Sequence, residues 1–226
     1  MKIPDMTRRF MCRACQRETG HWPIANGELK GSYKKLERER SSVQTFQVMQ
    51  CKDCGTTTYC IDTRIHPGYM MGDSYIETTD YFPPLPLRTK PAWYGSLSKG
   101  YQTILAEVYQ AIDNSLFFLS STGVRTAIDK LIVEKIGDAG GFKDKVDRLV
   151  AKKIIDDTDG EMLLALIDAG SASAHRSYKP KPEIINHMMD ILEDIFFKLL
   201  VEPKKKKELK KKADKLRKST PKRKNA

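Results

Sequence analysis

Four of the five cysteines fall into two pairs, Cys12-Arg-Ala-Cys15 and Cys51-Lys-Asp-Cys54, with 35 residues between them. A Cys-x-x-Cys on a tight turn aims two thiolates at one ion, and two such turns complete a tetrahedral site. Four soft thiolates with no open position suit a structural zinc. The pattern therefore predicts one Zn2+ per chain on Cys12, Cys15, Cys51 and Cys54. A redox dithiol is the competing use of the same motif. His21 is expected to be structural rather than a ligand, and Cys60 a buried free thiol.

The cysteines also say how the first 80 residues must fold. Val43 to Met49 alternates partly in polarity and runs into Cys51, and Thr56-Thr57-Thr58-Tyr59 is β-branched and aromatic. Both read as strands. A polar insertion, Gly27 to Ser42, lies between them. So little apolar mass needs a metal or another staple to hold a fold. Residues 1–80 thus read as a zinc-ribbon domain.

Residues 81–95 hold Pro83, Pro84, Pro86 and Pro91. Proline lacks the N–H and keeps its predecessor extended, so this segment reads as a stiff linker. Residues 96–202 carry the period of amphipathic helices. Tyr101, Ile104, Leu105, Val108, Tyr109, Ile112, Leu116 and Leu119 recur every three or four positions, and a second helix follows a break at Gly123. Thr158-x-x-Glu161 reads as a capping box before another helix. The last apolar helix, from Ile184 to Leu199, is apolar around much of its circumference. That places it at the centre of a bundle or at a subunit contact.

The net charge of +11 is unevenly distributed. Residues 203–226 carry 13 bases and two acids, and the other 202 residues carry 27 of each. Residues 66–202 are acidic, with 15 bases and 20 acids. Affinity for polyanions is therefore expected in the tail, at Lys204, Lys205, Lys206, Lys207, Lys210, Lys211, Lys212, Arg217, Lys222, Arg223 and Lys224. Such a run neutralises phosphates without reading bases, so its binding is independent of sequence and sensitive to salt. A solubilising tail is the alternative. Its composition predicts disorder, with Glu208 to Leu216 helical on binding. Arg8, Arg9, Arg13, Arg17, Lys34, Lys35, Arg38 and Arg40 add a mild basic bias to the first domain. Trp22, Tyr33 and Phe46 are candidates for stacking on bases or for a miniature core. No apolar run reaches the length of about 18 residues that a membrane span needs. The segment Met1 to Phe10 lacks the apolar stretch of a secretory leader. A cytoplasmic protein is expected.

Other signals act in combination. Thr19-Gly-His21 follows the first cysteine pair. Tyr81 to Pro86 and Pro91-x-Trp93 follow the ribbon, and then come Glu107, Tyr109, Gly123-Val-Arg125-x-Ala127-Ile128 and Asp168-Ala-Gly-Ser-Ala-Ser-Ala-His175. In this order the chain resembles the domain of unknown function forty-one forty-five. That prokaryotic family lies near the HEPN superfamily of helical bundles and recurs in restriction and phage-defence proteins. The resemblance implies an α+β chain: a small β zinc ribbon, an all-α HEPN-like helical bundle over 96–202, and the basic tail over 203–226. It also implies a homodimer, which the wide apolar face of 184–200 suits, and defence-system partner proteins.

Active HEPN ribonucleases carry Arg-x(4–6)-His. Here His175 is present, but Asp168, Ala169 and Gly170 occupy the three allowed arginine positions. Metal-independent RNA cleavage needs a proton-transfer group and a cation for the phosphorane. His175 is the candidate for the first, and Arg125 or Arg176 for the second. Otherwise Arg125 is expected to pair with Glu107, Asp129 or Asp168. Three functions follow. The foremost is a non-catalytic nucleic-acid-associated binding or regulatory protein of a defence system. The second is a HEPN-type endoribonuclease using His175 at a dimer interface. The third is a protein–protein adaptor.

Overall fold

The computed structural model describes residues 7–35, 38–66 and 75–220. The chain divides into two units, Met1–Thr89 and Lys90–Ala226, and the division falls inside the proline-rich segment. The first unit is an antiparallel sheet and the second is helical, so the chain is α+β.

Five strands follow one another in chain order: β1 (Arg8–Cys12), β2 (Arg17–Lys35), β3 (Arg38–Cys51), β4 (Thr57–Ile65) and β5 (Ile76–Phe82). The polar insertion is not a loop. It is the outer half of a long β2–β3 hairpin whose register runs from His21 opposite Cys51 out to Lys35 opposite Arg38. Antiparallel pairing propagates from the cysteine end whatever the polarity of the residues it carries, because the ladder uses the backbone. The register shifts between Pro23 and Ala25. β1 pairs with β2 only as far as His21, so Pro23 lies beyond that ladder, where a missing N–H costs nothing to β1. β5 pairs with β4 from Ile65 opposite Ile76 to Tyr59 opposite Phe82, so the sheet continues into the predicted linker.

The sheet curls. β1 and β4 are three places apart in the order, yet the Arg8 guanidinium donates two hydrogen bonds to the Asp62 carboxylate, one of them at 2.9 Å. The small apolar filling is Phe10, Met49 and Cys60, with Tyr81 and Leu85 against them.

The second unit contains α1 (Lys99–Asp113), α2 (Phe117–Ile136), α3 (Phe142–Ala151), α4 (Asp157–Arg176), α5 (Pro182–Phe196) and α6 (Glu202–Ser219), with a π-helical turn at Phe197–Val201 between α5 and α6. The break expected at Gly123 lies earlier, at Asn114 to Leu116, where Ser115 has φ +56°. Gly123 sits within α2 against α1: a Cβ there would meet Val108 Cγ2 at 2.7 Å. α4 begins two residues before the predicted capping box, where the Asp156 carboxylate accepts the Asp159 N–H at 2.8 Å. α5 turns Ile185, Met188, Met189, Leu192, Ile195 and Phe196 into the core. The apolar face that suggested a dimer is thus occupied by the bundle itself.

The predicted disordered tail is a helix as far as Ser219. Lys, Glu, Leu and Ala are good helix formers, Pro203 stands in the first turn, and no glycine interrupts the run. α6 buries no residue. Among the described residues, no helix is long and apolar enough to cross a membrane.

Candidate metal centre

The two cysteine pairs sit on turns of one geometry. After Cys12-x-x-Cys15, Gln16 has φ +54° and donates its N–H to Cys12 O at 2.8 Å. After Cys51-x-x-Cys54, Gly55 has φ +76° and donates to Cys51 O at 3.0 Å. A left-handed residue closing the turn folds both thiols of a pair back to the same side. The first turn joins β1 to β2 and the second joins β3 to β4. His21 pairs with Cys51 across β2 and β3, and the Lys52 N–H reaches Gly20 O at 2.9 Å, which brings the turns together.

All four sulfurs lie within 4.8 Å of one another. Cys12 Sγ is 3.6 Å from Cys54 Sγ, and Cys15 Sγ is 3.9 Å from Cys51 Sγ. Tetrahedral coordination at a Zn–S distance of about 2.3 Å puts sulfurs about 3.8 Å apart. The cluster is compatible with zinc without moving a strand.

The surroundings also suit thiolates. Cys51 is buried, which opposes ionisation, yet its thiol is held down to about 6 by the Thr19 hydroxyl at 3.2 Å and by the N–H groups of Cys54 and Asp53. The Thr56 hydroxyl sits 3.3 Å from Cys54 Sγ. Cys15 goes the other way, pushed up to about 12 chiefly by its hydrogen bond with the Cys54 sulfur and then by burial. Four sulfurs this close cannot all ionise by themselves, and a divalent cation among them removes the conflict.

His21 is not part of the cluster. It is fully buried, stacks on Phe10 with ring centroids 3.7 Å apart, and turns Nδ1 to Thr19 O at 3.1 Å. Burial lowers its pKa. Cys60 is fully buried in the same small core, as expected of a free thiol.

The other predicted residues are dispersed. Trp22 is half-exposed, donates to Gln50 Oε1 at 3.3 Å and lies under Lys52 Nζ. Phe46 belongs to a row on the outer face of the sheet, stacked on Tyr59 at 6.2 Å, with Phe82 a further 6.3 Å on. The sequence reading missed Tyr59 and Phe82. The signal for them is strand alternation once the β3–β4–β5 register is known. The side chains of residues 31–41, including Tyr33, Lys34, Lys35, Arg38 and Arg40, lie outside the described ones.

His175 is exposed at the last turn of α4, and no described side chain pairs with it. Arg125 does not take a carboxylate: its guanidinium lies 4.8 Å above the centre of the Phe142 ring. Arg176 is bound to Asp168 at 2.8 Å. Gly170, at one of the arginine positions, is where α4 crosses α2. A Cβ there would lie 2.5 Å from Arg125 Cβ and 3.1 Å from Ser121 O, so no arginine fits. Lys204, Lys205, Lys206, Lys207, Lys210, Lys211, Lys212 and Arg217 project from α6, while Lys222, Arg223 and Lys224 lie outside the described residues.

Residues 106–217 match the family model described as Domain of unknown function (DUF4145). The match begins within α1 and ends within α6, so the basic helix falls inside it and the cysteine unit outside. No curated protein and no solved structure matches the chain.

Proposed function

Through residues 106–217 the chain belongs to the DUF4145 family, and on that premise we propose that it is a non-catalytic nucleic-acid-binding protein of the cytoplasm, stapled by one structural zinc per chain. The carrying observation is α6. Over Glu202–Ser219 it presents ten bases and three acids, buries nothing, and lies almost wholly within the family-matched region. A helix holds these charges along one axis, which a disordered tail does not. Lys206 is engaged with Glu202 at 2.9 Å, while Lys205, Lys207, Lys210, Lys211 and Lys212 form no ion pair among the described residues. They are free to replace counterions along a phosphate backbone.

The non-catalytic part of the reading is supported around His175. Its candidate cations are committed to Phe142 and Asp168, and the motif position at Gly170 has no room for a side chain. The restriction and antiviral setting, with partner proteins, is an extension of the family likeness. Cys12, Cys15, Cys51 and Cys54 would hold the zinc, whose part is to fasten two turns that have little apolar mass to join them.

The test is the salt dependence of binding to a random-sequence duplex. Each phosphate contact adds about 0.9 to the slope of log K against log salt. Changing Lys210, Lys211 and Lys212 to Gln should lower that slope by about 2–3. An unchanged slope removes α6 as the binding element.

A further inference from the structure

The curl of the sheet encloses more than its apolar plug. Beside the cysteines the inward registers carry Met49, Cys60 and Tyr81. Gln47 stands opposite Cys60, which faces Tyr81 in turn, and the next inward row along the same strands is Thr45, Asp62 and Thr79. The polar end is a cavity of about 710 Å³ lined by residues from all five strands. Small-molecule sites span about 300–1,000 Å³.

Three features separate this cavity from a packing gap. The Arg8–Asp62 pair crosses it with each side chain only 27% exposed, and the Thr79 hydroxyl donates to Asp62 at 2.7 Å. Drawing two charges out of water costs free energy that an apolar pair at these registers would not. Gln47 is 5% exposed, and its Oε1 accepts no hydrogen bond. A buried acceptor left without a donor has lost its water without a replacement, a cost that a donor from a ligand removes. Finally, two further arginines line the cavity and differ in state. Arg64 is bound to Glu77 at 2.8 Å, whereas the exposed Arg9 forms no ion pair among the described residues.

We propose that this cavity binds a nucleoside phosphate, the base turned toward Gln47 and Tyr81 and the phosphate held at Arg9. Each part of such a ligand meets a matching group. The amide oxygen of Gln47 takes a hydrogen bond from an exocyclic amine or ring N–H of the base. The Tyr81 ring offers a stacking surface. Threonine hydroxyls on β3, β4 and β5 suit a ribose. The Arg9 guanidinium takes the phosphate with charge-assisted hydrogen bonds. Arg8 with Asp62 and Arg64 with Glu77 cancel in charge, and the third carboxylate of the lining, Glu28, is bound to Lys30 at 3.2 Å, so Arg9 is the lining charge left without an ion-pair partner among the described residues. A free mononucleotide and the phosphorylated end of a strand share this chemistry. The inference goes beyond the reading of α6: it rests on the sheet alone, and the salt slope reads α6 alone, so the two fail separately.

Calorimetric titration of the full, zinc-loaded chain tests it, with AMP, CMP, GMP and UMP in one arm. A short single-stranded oligonucleotide with a terminal phosphate, and the same strand without it, form the other. Saturable binding is expected in at least one arm, weakened about tenfold by Gln47→Leu and by Arg9→Glu. Binding of mononucleotides identifies a free ligand. Binding of the oligonucleotide only, dependent on its terminal phosphate, identifies a strand end. Absence of saturable binding in both arms overturns the proposal. So does affinity that neither substitution changes while zinc content stays at the wild-type level. If Gln47→Leu loses its zinc, the exposed Arg9→Glu decides by itself.

Discussion

The crossing of α2 and α4 at Gly170 sets up a quantitative test. Replacing Gly170 by Ala adds one carbon. In an unconstrained helix interior that change stabilises by about 1 kcal/mol, because alanine has less backbone freedom to lose. Here the new Cβ would lie 2.5 Å from Arg125 Cβ and 3.1 Å from the Ser121 carbonyl. Neither neighbour is the free end of a side chain, so relief requires the two helices to separate. Overpacking of this kind costs about 1–3 kcal/mol, and rigid neighbours put it at the upper end. The net expectation is a loss of about 2 kcal/mol, or roughly 5 °C in Tm for a unit of this size. Gly123→Ala is the control. It adds the same carbon to α2, but its close neighbour is a single Val108 methyl at 2.7 Å, so the overlap involves one side-chain atom and no backbone. There the propensity gain should offset about 1 kcal/mol of crowding and leave Tm nearly unchanged. Thermal melts followed by the helical circular-dichroism signal report the helical unit. The reasoning is refuted if Gly170→Ala melts at or above wild type, or if the two variants shift equally. Gly170→Arg, which restores the ribonuclease spacing to His175, should misfold rather than acquire activity.

Three further outcomes follow from the sheet unit. Metal analysis should return one zinc per chain, and a chelator should unfold the sheet while the helical signal persists; a chelated protein with intact sheet signal would contradict the stapling role. Cys60, whose thiol burial pushes up to about 11, should resist alkylation at neutral pH until the sheet unfolds. Labelling of native protein at the rate of a free thiol would show that the small core is open. Asp62 is held below the usual carboxylate range by its hydrogen bonds from Arg8, against burial, and by the Thr79 hydroxyl. A depressed folded-state pKa gives stability that is present above the ordinary carboxylate value and lost as pH falls through the folded one. Asp62→Asn should therefore flatten the acid limb of the stability curve in that window. Parallel acid limbs for the two proteins would remove the ion pair from the account.

The features legible in the sequence are those set by local chemistry. The cysteine spacing gives the metal cluster, because both turns are built within five residues. The apolar period gives the helices, because burial on one face needs no knowledge of what lies opposite. What was not legible depends on distant partners. Gly123 reads as a break by propensity alone, and only Val108 shows that its missing side chain is the contact. The hairpin through Gly27 to Ser42 looks like a loop because its residues are polar, but its ladder is made of backbone. The Arg8–Asp62 pair spans 54 residues, and no pattern within β1 or β4 announces it. The helix over Glu202–Ser219 was hidden by charge: lysine density argues for disorder through the lack of burial, while the same lysines are sound helix formers.

The curled sheet closes by side chains rather than by a ladder, and this leaves two strand edges. Among the described residues β1 pairs only with β2, and β5 only with β4. β1 carries Arg8 and Arg9, and β5 carries Asp80 and Glu77, the second of which is bound to Arg64. Open edges of opposite charge are complementary between molecules as well as within one, so each copy presents both halves of a head-to-tail polymer contact. Arg8 turned inward to Asp62 withdraws one of those halves. Breaking the ion pair is therefore expected to show first as self-association that depends on concentration and salt.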